Sequence, residues 1–179
     1  SNMSEKSALA FRKLVAAMRT TEKEYWAHRD RKLLEQSIEL EKRVDEIIMK
    51  ADGSDVPQND NGTFFLEVAQ LRATTKQYFH EKKNPTPNQD TINQLYQQIK
   101  SSEAIIDKMI IKFQDQQALK DGYIIQYHVM ERYSHAEVAH SIYDSTDEQL
   151  AKIELNDYRR RSTRGVFYYM AKKYVKVNK

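Results

Sequence analysis

Thirteen residues near the start of the chain recur further along, and no other feature narrows the possible folds as much. Leu14–Trp26 reads LVAAMRTTEKEYW, and Glu67–Phe79 reads EVAQLRATTKQYF. At one constant offset, Val15/Val68, Met18/Leu71, Arg19/Arg72, Thr21/Thr74, Lys23/Lys76, Tyr25/Tyr78 and Trp26/Phe79 match. A second constant offset, nine residues longer, then aligns Leu33/Leu95, Gln36/Gln98, Glu41/Glu103, Val44/Ile106, Asp45/Asp107, Ile48/Ile110 and Lys50/Lys112. The nine residues fall around Asn84–Asn88. Two copies of a helical hairpin are the expected unit, over about 9–50 and 63–113, within a repeat region of 4–115.

Apolar residues recur every three or four positions through both copies, the period of an α-helix with one buried stripe. The first helix is expected from Ser4 to His28, carrying Phe11, Leu14, Val15, Met18, Tyr25 and Trp26. Asp30 can cap a second helix, because its short carboxylate reaches the unpaired amides of a first turn. A single helix running through Arg29 is the alternative, and the comparison with the second copy favours a turn. ADGSDVPQNDNG, residues 51–62, is turn-forming and offers little to bury. A third helix, capped by Thr63, should end at Asn84-Pro85-Thr86-Pro87-Asn88, since proline lacks an amide donor and drives its predecessor out of helical geometry. A fourth should run from Asp90 towards Gln114. Two hairpins, each with an apolar face it cannot cover alone, are expected to pack as a four-helix bundle. Pairing of each hairpin with a second chain, as a homodimer, is the alternative.

Past Lys120 the pattern shortens. Ile124–Arg132 reads as a helix, and Ser134-His135-Ala136-Glu137 and Ser145-Thr146-Asp147-Glu148 each fit a capping box. Together they predict a short helix, His135–Ile142, then a tight turn and a longer helix. Leu150–Val175 should be helical too, broken near Ser162-Thr163 and Gly165. The expected class is all-α, with a smaller helical C-terminal region over 118–177 holding a candidate helix-turn-helix.

Composition limits function. Four glycines, three prolines and 31% charged residues suit long helices with wet outer faces. With no cysteine there is no disulfide, no thiolate metal site and no cysteine nucleophile. His135 and His140 flank Glu137, but a spacing of five turns them away from one another on a helix, and HExxH is absent. Capping or surface roles are expected for these histidines, with no metal. No phosphate-binding glycine loop and no readable Ser/His/Asp constellation occurs, so a non-enzymatic protein without a cofactor or small-molecule substrate is expected. Ser1-Asn2 ahead of Met3 has the look of a tag remnant. Neither a signal-peptide pattern nor a long apolar run is present, and a cytoplasmic protein that does not enter the membrane is expected.

Charge is distributed unevenly. The chain carries +3, yet Leu150–Lys179 alone carries +7, leaving about −4 on the rest. Within it DYRRRSTRGVFYYMAKK, Asp157–Lys173, clusters groups that neutralise phosphates and release counterions. Arg159, Arg160, Arg161, Arg164, Lys172 and Lys173 are the expected phosphate contacts. Tyr168, with Tyr158 and Tyr169, adds a stacking or hydrogen-bonding partner. The competing reading is a solvated helix end, whose cations complement the helix dipole. DNA is the expected partner; the alternative function is a helical scaffold, adaptor or dimerisation protein whose basic end meets an acidic protein.

In the hairpins, Tyr25-Trp26 and Tyr78-Phe79 are expected as core, a ligand pocket being the alternative. Arg19 and Arg72 are each expected to pair with Glu41 or Glu103, or with Asp45 or Asp107, across its own hairpin. A joint anion site is the sharper reading of the same two arginines.

Two resemblances bear on function. Met18-Arg19, Lys23-Tyr25-Trp26, Arg29, Leu34-Ser37 and Leu40-Glu41-Val44-Asp45 resemble a motif of uncharacterised helical proteins of bacterial phages and mobile elements. The second copy follows it loosely, with Leu71 for methionine and Ile106 for valine. This resemblance implies a mobile-element setting, in which a DNA-contacting tail is natural. YHVMERYSHAEVAHSIYDST, with Glu137-Val138-Ala139, resembles the helix-turn-helix of sigma-like and phage late-transcription regulators. STRGVFYYMAKKY resembles the closing helix of such modules. This second resemblance implies DNA reading by a helix, although Asp147 and Glu148 place acid where base-edge donors belong.

Overall fold

α1 (Glu5–His28) and α2 (Arg31–Lys50) are separated by the turn that the hairpin alignment requires. Arg29 adopts a left-handed φ of 55° and its amide donates to the Tyr25 carbonyl, closing α1. Asp30 then accepts from the Lys32 amide and opens α2. Residues 3–177 are described by this computed structural model, in which the chain forms two units, Ser1–Lys112 and Phe113–Lys179.

In the first unit the 51–59 connection holds a single 3-10 turn, Gly53–Asp55, and leads into α3 (Asp60–Lys82). Asn59 caps α3 by accepting from the Gly62 amide, so the helix begins ahead of the expected cap, and Thr63 lies inside it with its hydroxyl donating back to the Asn59 carbonyl. The proline-bearing break follows as expected. Asn88 accepts from the Thr91 amide at the start of α4 (Gln89–Lys120), which runs six residues beyond the expected end.

All four helices contribute to the buried interior: Phe11, Val15 and Met18 from α1, Val44 from α2, Phe64, Val68 and Leu71 from α3, Ile106 from α4. Each such side chain contributes roughly 1.5–3 kcal/mol through removal from water. The aligned pairs share environments. Val15 and Val68 are both buried, as are Met18 and Leu71, and Val44 and Ile106.

Buried among them, Arg19 and Arg72 make matched ion pairs that cross between the hairpins. Arg19 Nε lies 2.9 Å from Asp107 and its Nη1 2.7 Å from Glu103. Arg72 Nε lies 2.8 Å from Asp45, with Nη1 3.4 Å from Glu41. Lys23 and Lys76 reinforce Asp107 and Asp45 from outside. The carboxylates are the expected residues, but each arginine holds those of the other hairpin rather than of its own. Burial would raise the Asp45 and Asp107 pKa values. Hydrogen bonds from Arg72 and Arg19 outweigh it and hold both carboxyls below the usual range.

The second unit overturns the all-α expectation. Tyr123–Tyr133 is a strand, β1; His140–Ser145 is β2; α5 (Glu148–Arg160) follows; and Val166–Lys176 is β3. They form a three-stranded antiparallel sheet in the order β2-β1-β3. The segments expected as helices at 124–132 and after Gly165 are therefore partners, paired from Tyr123↔Lys176 to Tyr133↔Val166. Gly122 and Gly165, at φ 86° and 87°, turn the chain into β1 and β3 in a conformation that residues with a Cβ seldom adopt.

The expected helix-turn-helix does not form, because Ser134–Ala139 is the loop joining β1 to β2 and the predicted short helix is absent from these described residues. The second capping signal is displaced by two residues. Asp147, not Ser145, caps α5 by accepting from the Gln149 and Leu150 amides, while Ser145 Oγ accepts from the Asp147 amide.

Candidate functional site

Strand alternation sorts the basic segment onto two faces. α5 packs on the face that carries Val129, Glu131, Tyr168 and Met170, burying Ala151 and Leu155 and stacking Tyr158 on Tyr168 with ring centroids 5.4 Å apart. The Tyr168 hydroxyl donates to Glu131 at 2.9 Å. That hydrogen bond, with burial, pushes the phenol pKa up and keeps it protonated.

Lys172 and Tyr174 occupy the same face and converge on Asp115, in the last turns of α4, at 2.6 and 2.7 Å. Burial and then Asp115 push the Tyr174 phenol up to about 12.

The arginines gather where α5 ends. Arg160 and Arg161 both reach Asp157, at 3.0 and 2.7 Å, and Arg161 also lies over the Tyr158 ring. Arg159 Nε donates to the Tyr168 carbonyl at 3.1 Å, and Arg164 is exposed in the turn before β3. Seven residues expected to act together are thus divided. Arg159, Arg160, Arg161 and Arg164 cluster at one end of α5, Tyr168 and Lys172 are engaged beneath α5 and α4, and Lys173 points from the opposite face of the sheet.

That opposite face carries Tyr169, an expected stacking partner, together with Phe167, Met130 and Arg132, which the sequence analysis does not single out. Phe167 and Tyr169 project from it, 58% and 41% exposed, beside Met130 and Arg132 of the neighbouring strand. Arg132 Nε donates to the Ala136 carbonyl, which leaves the rest of its guanidinium towards solvent. Buried His128 contacts Ser141 and Gln126 there, at 2.7 and 3.2 Å. The signal that could have found this surface is the period-two alternation of VFYYMAKKYVK, masked by reading Met, Ala and Lys as helix formers.

In the first unit, Trp26 and Phe79 are 62% and 51% exposed, so they are not the core residues expected. Together with Tyr25 and Tyr78 they border a cavity. Arg19 and Arg72 are saturated by carboxylates, which removes the joint anion site. Among the described residues no group of three or more His, Asp or Glu is arranged to hold a metal ion, and no helix is long and apolar enough to cross a membrane.

Comparison with protein-family models, curated proteins and solved structures yields no match for this chain.

Proposed function

We propose that the protein is a non-enzymatic, nucleic-acid-binding regulator of the phage or mobile-element type, and that its C-terminal unit holds single-stranded nucleic acid on the sheet. The observation that carries this reading is the pairing of exposed Phe167 and Tyr169 with Arg132 and Lys173 on the face opposite α5. Flat aromatic faces stack on unpaired bases of any sequence, and neighbouring cations follow the phosphates. Bases of a duplex are already stacked on one another, so duplex DNA gains less from such a platform. The α5 arginines extend the cationic surface beyond the sheet.

Fluorescence anisotropy of a labelled single-stranded oligonucleotide at low salt tests it. Binding should weaken steeply as salt rises, because phosphate contacts release counterions. Phe167→Ala and Tyr169→Ala should each cost about 1–3 kcal/mol of binding. Joint replacement of Arg159, Arg160 and Arg161 by alanine should flatten the salt dependence. Failure of the chain to bind any nucleic acid at low ionic strength refutes the proposal.

A further inference from the structure

The first unit contains a cavity of about 390 Å³, a size suited to a small ligand, and its position owes nothing to the C-terminal sheet. Its walls are the rings of Tyr25, Trp26, Tyr78, Phe79 and Tyr96, with the carboxyl groups of Glu22, Glu41 and Glu103 among its lining. Most of its surface is apolar, and its enclosed charged lining is three carboxylates with one guanidinium, that of Arg72. Glu22, Glu41 and Glu103 are 17%, 23% and 19% exposed, whereas Lys100 is 56% exposed.

Symmetry between the hairpins explains every one of these carboxylates except one. Glu41 and Glu103 are aligned residues and serve Arg72 and Arg19 alike. Glu22 aligns with Thr75, so the scaffold does not require its charge. Among the described residues its one ion pair is with Arg19, at 2.9 Å, which already holds Glu103 and Asp107. Burial, opposed by Arg19 and assisted by adjacent Glu41, pushes the Glu22 carboxyl up to about 7. A surplus carboxyl, poorly solvated and short of cation, opens onto an aromatic chamber.

The rings are also in electrostatic use. Arg29 lies 4.3 Å from the Trp26 centroid, Lys82 5.2 Å from Tyr78 and Lys100 5.4 Å from Tyr96. Aromatic faces attract cations through their quadrupole, and all three of these cations are exposed residues. Arg72 is the one enclosed lining cation, and Asp45 and Glu41 already engage it. An anionic ligand would find that guanidinium already engaged and would face Glu22.

We propose that this cavity binds an organic cation, an amine or guanidinium head on an aromatic or alkyl body, with the head against Glu22 and Glu41 and the body between Trp26, Phe79 and Tyr96. The ligand supplies the positive charge that the buried network lacks.

Trp26 is the only tryptophan in the chain, so its fluorescence in the full-length protein reports occupancy directly. Phenethylamine, 2-phenylethanol and 3-phenylpropionate serve as probes of matched body and different charge. Phenethylamine should bind tightest, and its affinity should rise from pH 6 to pH 8 as Glu22 ionises. Facing Glu22 during that titration are Arg19 on its own helix, Glu41 from α2, Arg72 from α3, and Glu103 and Lys100 from α4. Glu22→Gln should weaken the amine about tenfold or more, the loss of a charged hydrogen bond, and leave the alcohol unchanged. Phe79→Ala, away from the ion pairs, should weaken amine and alcohol together. Equal or tighter binding of the alcohol or carboxylate, undiminished amine affinity in Glu22→Gln, or no binding of the amine at millimolar concentration overturns the proposal.

Discussion

Arg19 and Arg72 are 6% and 8% exposed, and each gathers carboxylates from a helix far away in sequence. Arg160 and Arg161, whose side chains are 76% and 65% exposed, share the single carboxylate of Asp157 three and four residues back. The first pair closes tertiary structure; the second is anchored only to its own helix. Burial decides the difference, because an enclosed guanidinium must be fully paired, whereas water can replace any partner of a surface one. A basic cluster on a surface is therefore available to a partner in a way that a buried one is not.

The comparison can be broken first at Arg19. Arg19→Ala leaves Glu22, Glu103 and Asp107 without their buried counter-ion and should cost about 3–5 kcal/mol. Urea unfolding followed through Trp26 fluorescence reads this, and a cost below about 1 kcal/mol would erase the distinction between the two kinds of arginine.

Glu22 gives the intermediate effect. Because folding raises its pKa above the ordinary carboxylate value, its contribution is fully present below that ordinary value and is lost as pH rises to about 7. Glu22→Gln stands in for the protonated form. It should stabilise the protein at pH 8 by on the order of 2 kcal/mol, with the gain over the parent shrinking towards pH 4.5 in parallel urea titrations.

The smallest effect belongs to Arg160. Arg160→Ala should change stability by no more than about 0.5 kcal/mol, yet lower the salt dependence of oligonucleotide binding by about one phosphate contact. A large loss of stability with unchanged binding would reverse the roles assigned here.

The helical unit was largely legible because its information is local. Asp30 and the Asn84–Asn88 break sit beside the ends they determine, and the buried stripe repeats every turn. Which helix each arginine would meet was not legible, since both hairpins carry the same carboxylates and only three-dimensional packing selects the crossed arrangement. The sheet was missed for a related reason. Tyr123–Tyr133 finds its partner at Val166–Lys176, with some thirty residues between them, and a strand acquires its preference from that partner. Taken alone, Met130, Glu131 and Arg132 favour a helix, and Ser134…Glu137 imitates a cap. Of the candidate interface, the cationic residues could be named from the sequence. Their division between two faces, and the exposure of Phe167 beside Tyr169, depended on recognising a period of two.

The strand order has a further consequence. β3 lies at the edge of the sheet, bonded to β1 on one side only, and an unpaired edge can template the addition of a strand from another copy. Lys173 lies on that edge, where its charge and hydration oppose self-association, while Lys172 and Lys176 turn to Asp115 and the Asp121 carbonyl. The same lysine that suits a polyanion thus guards the chain against itself, and neutralising it removes both properties at once.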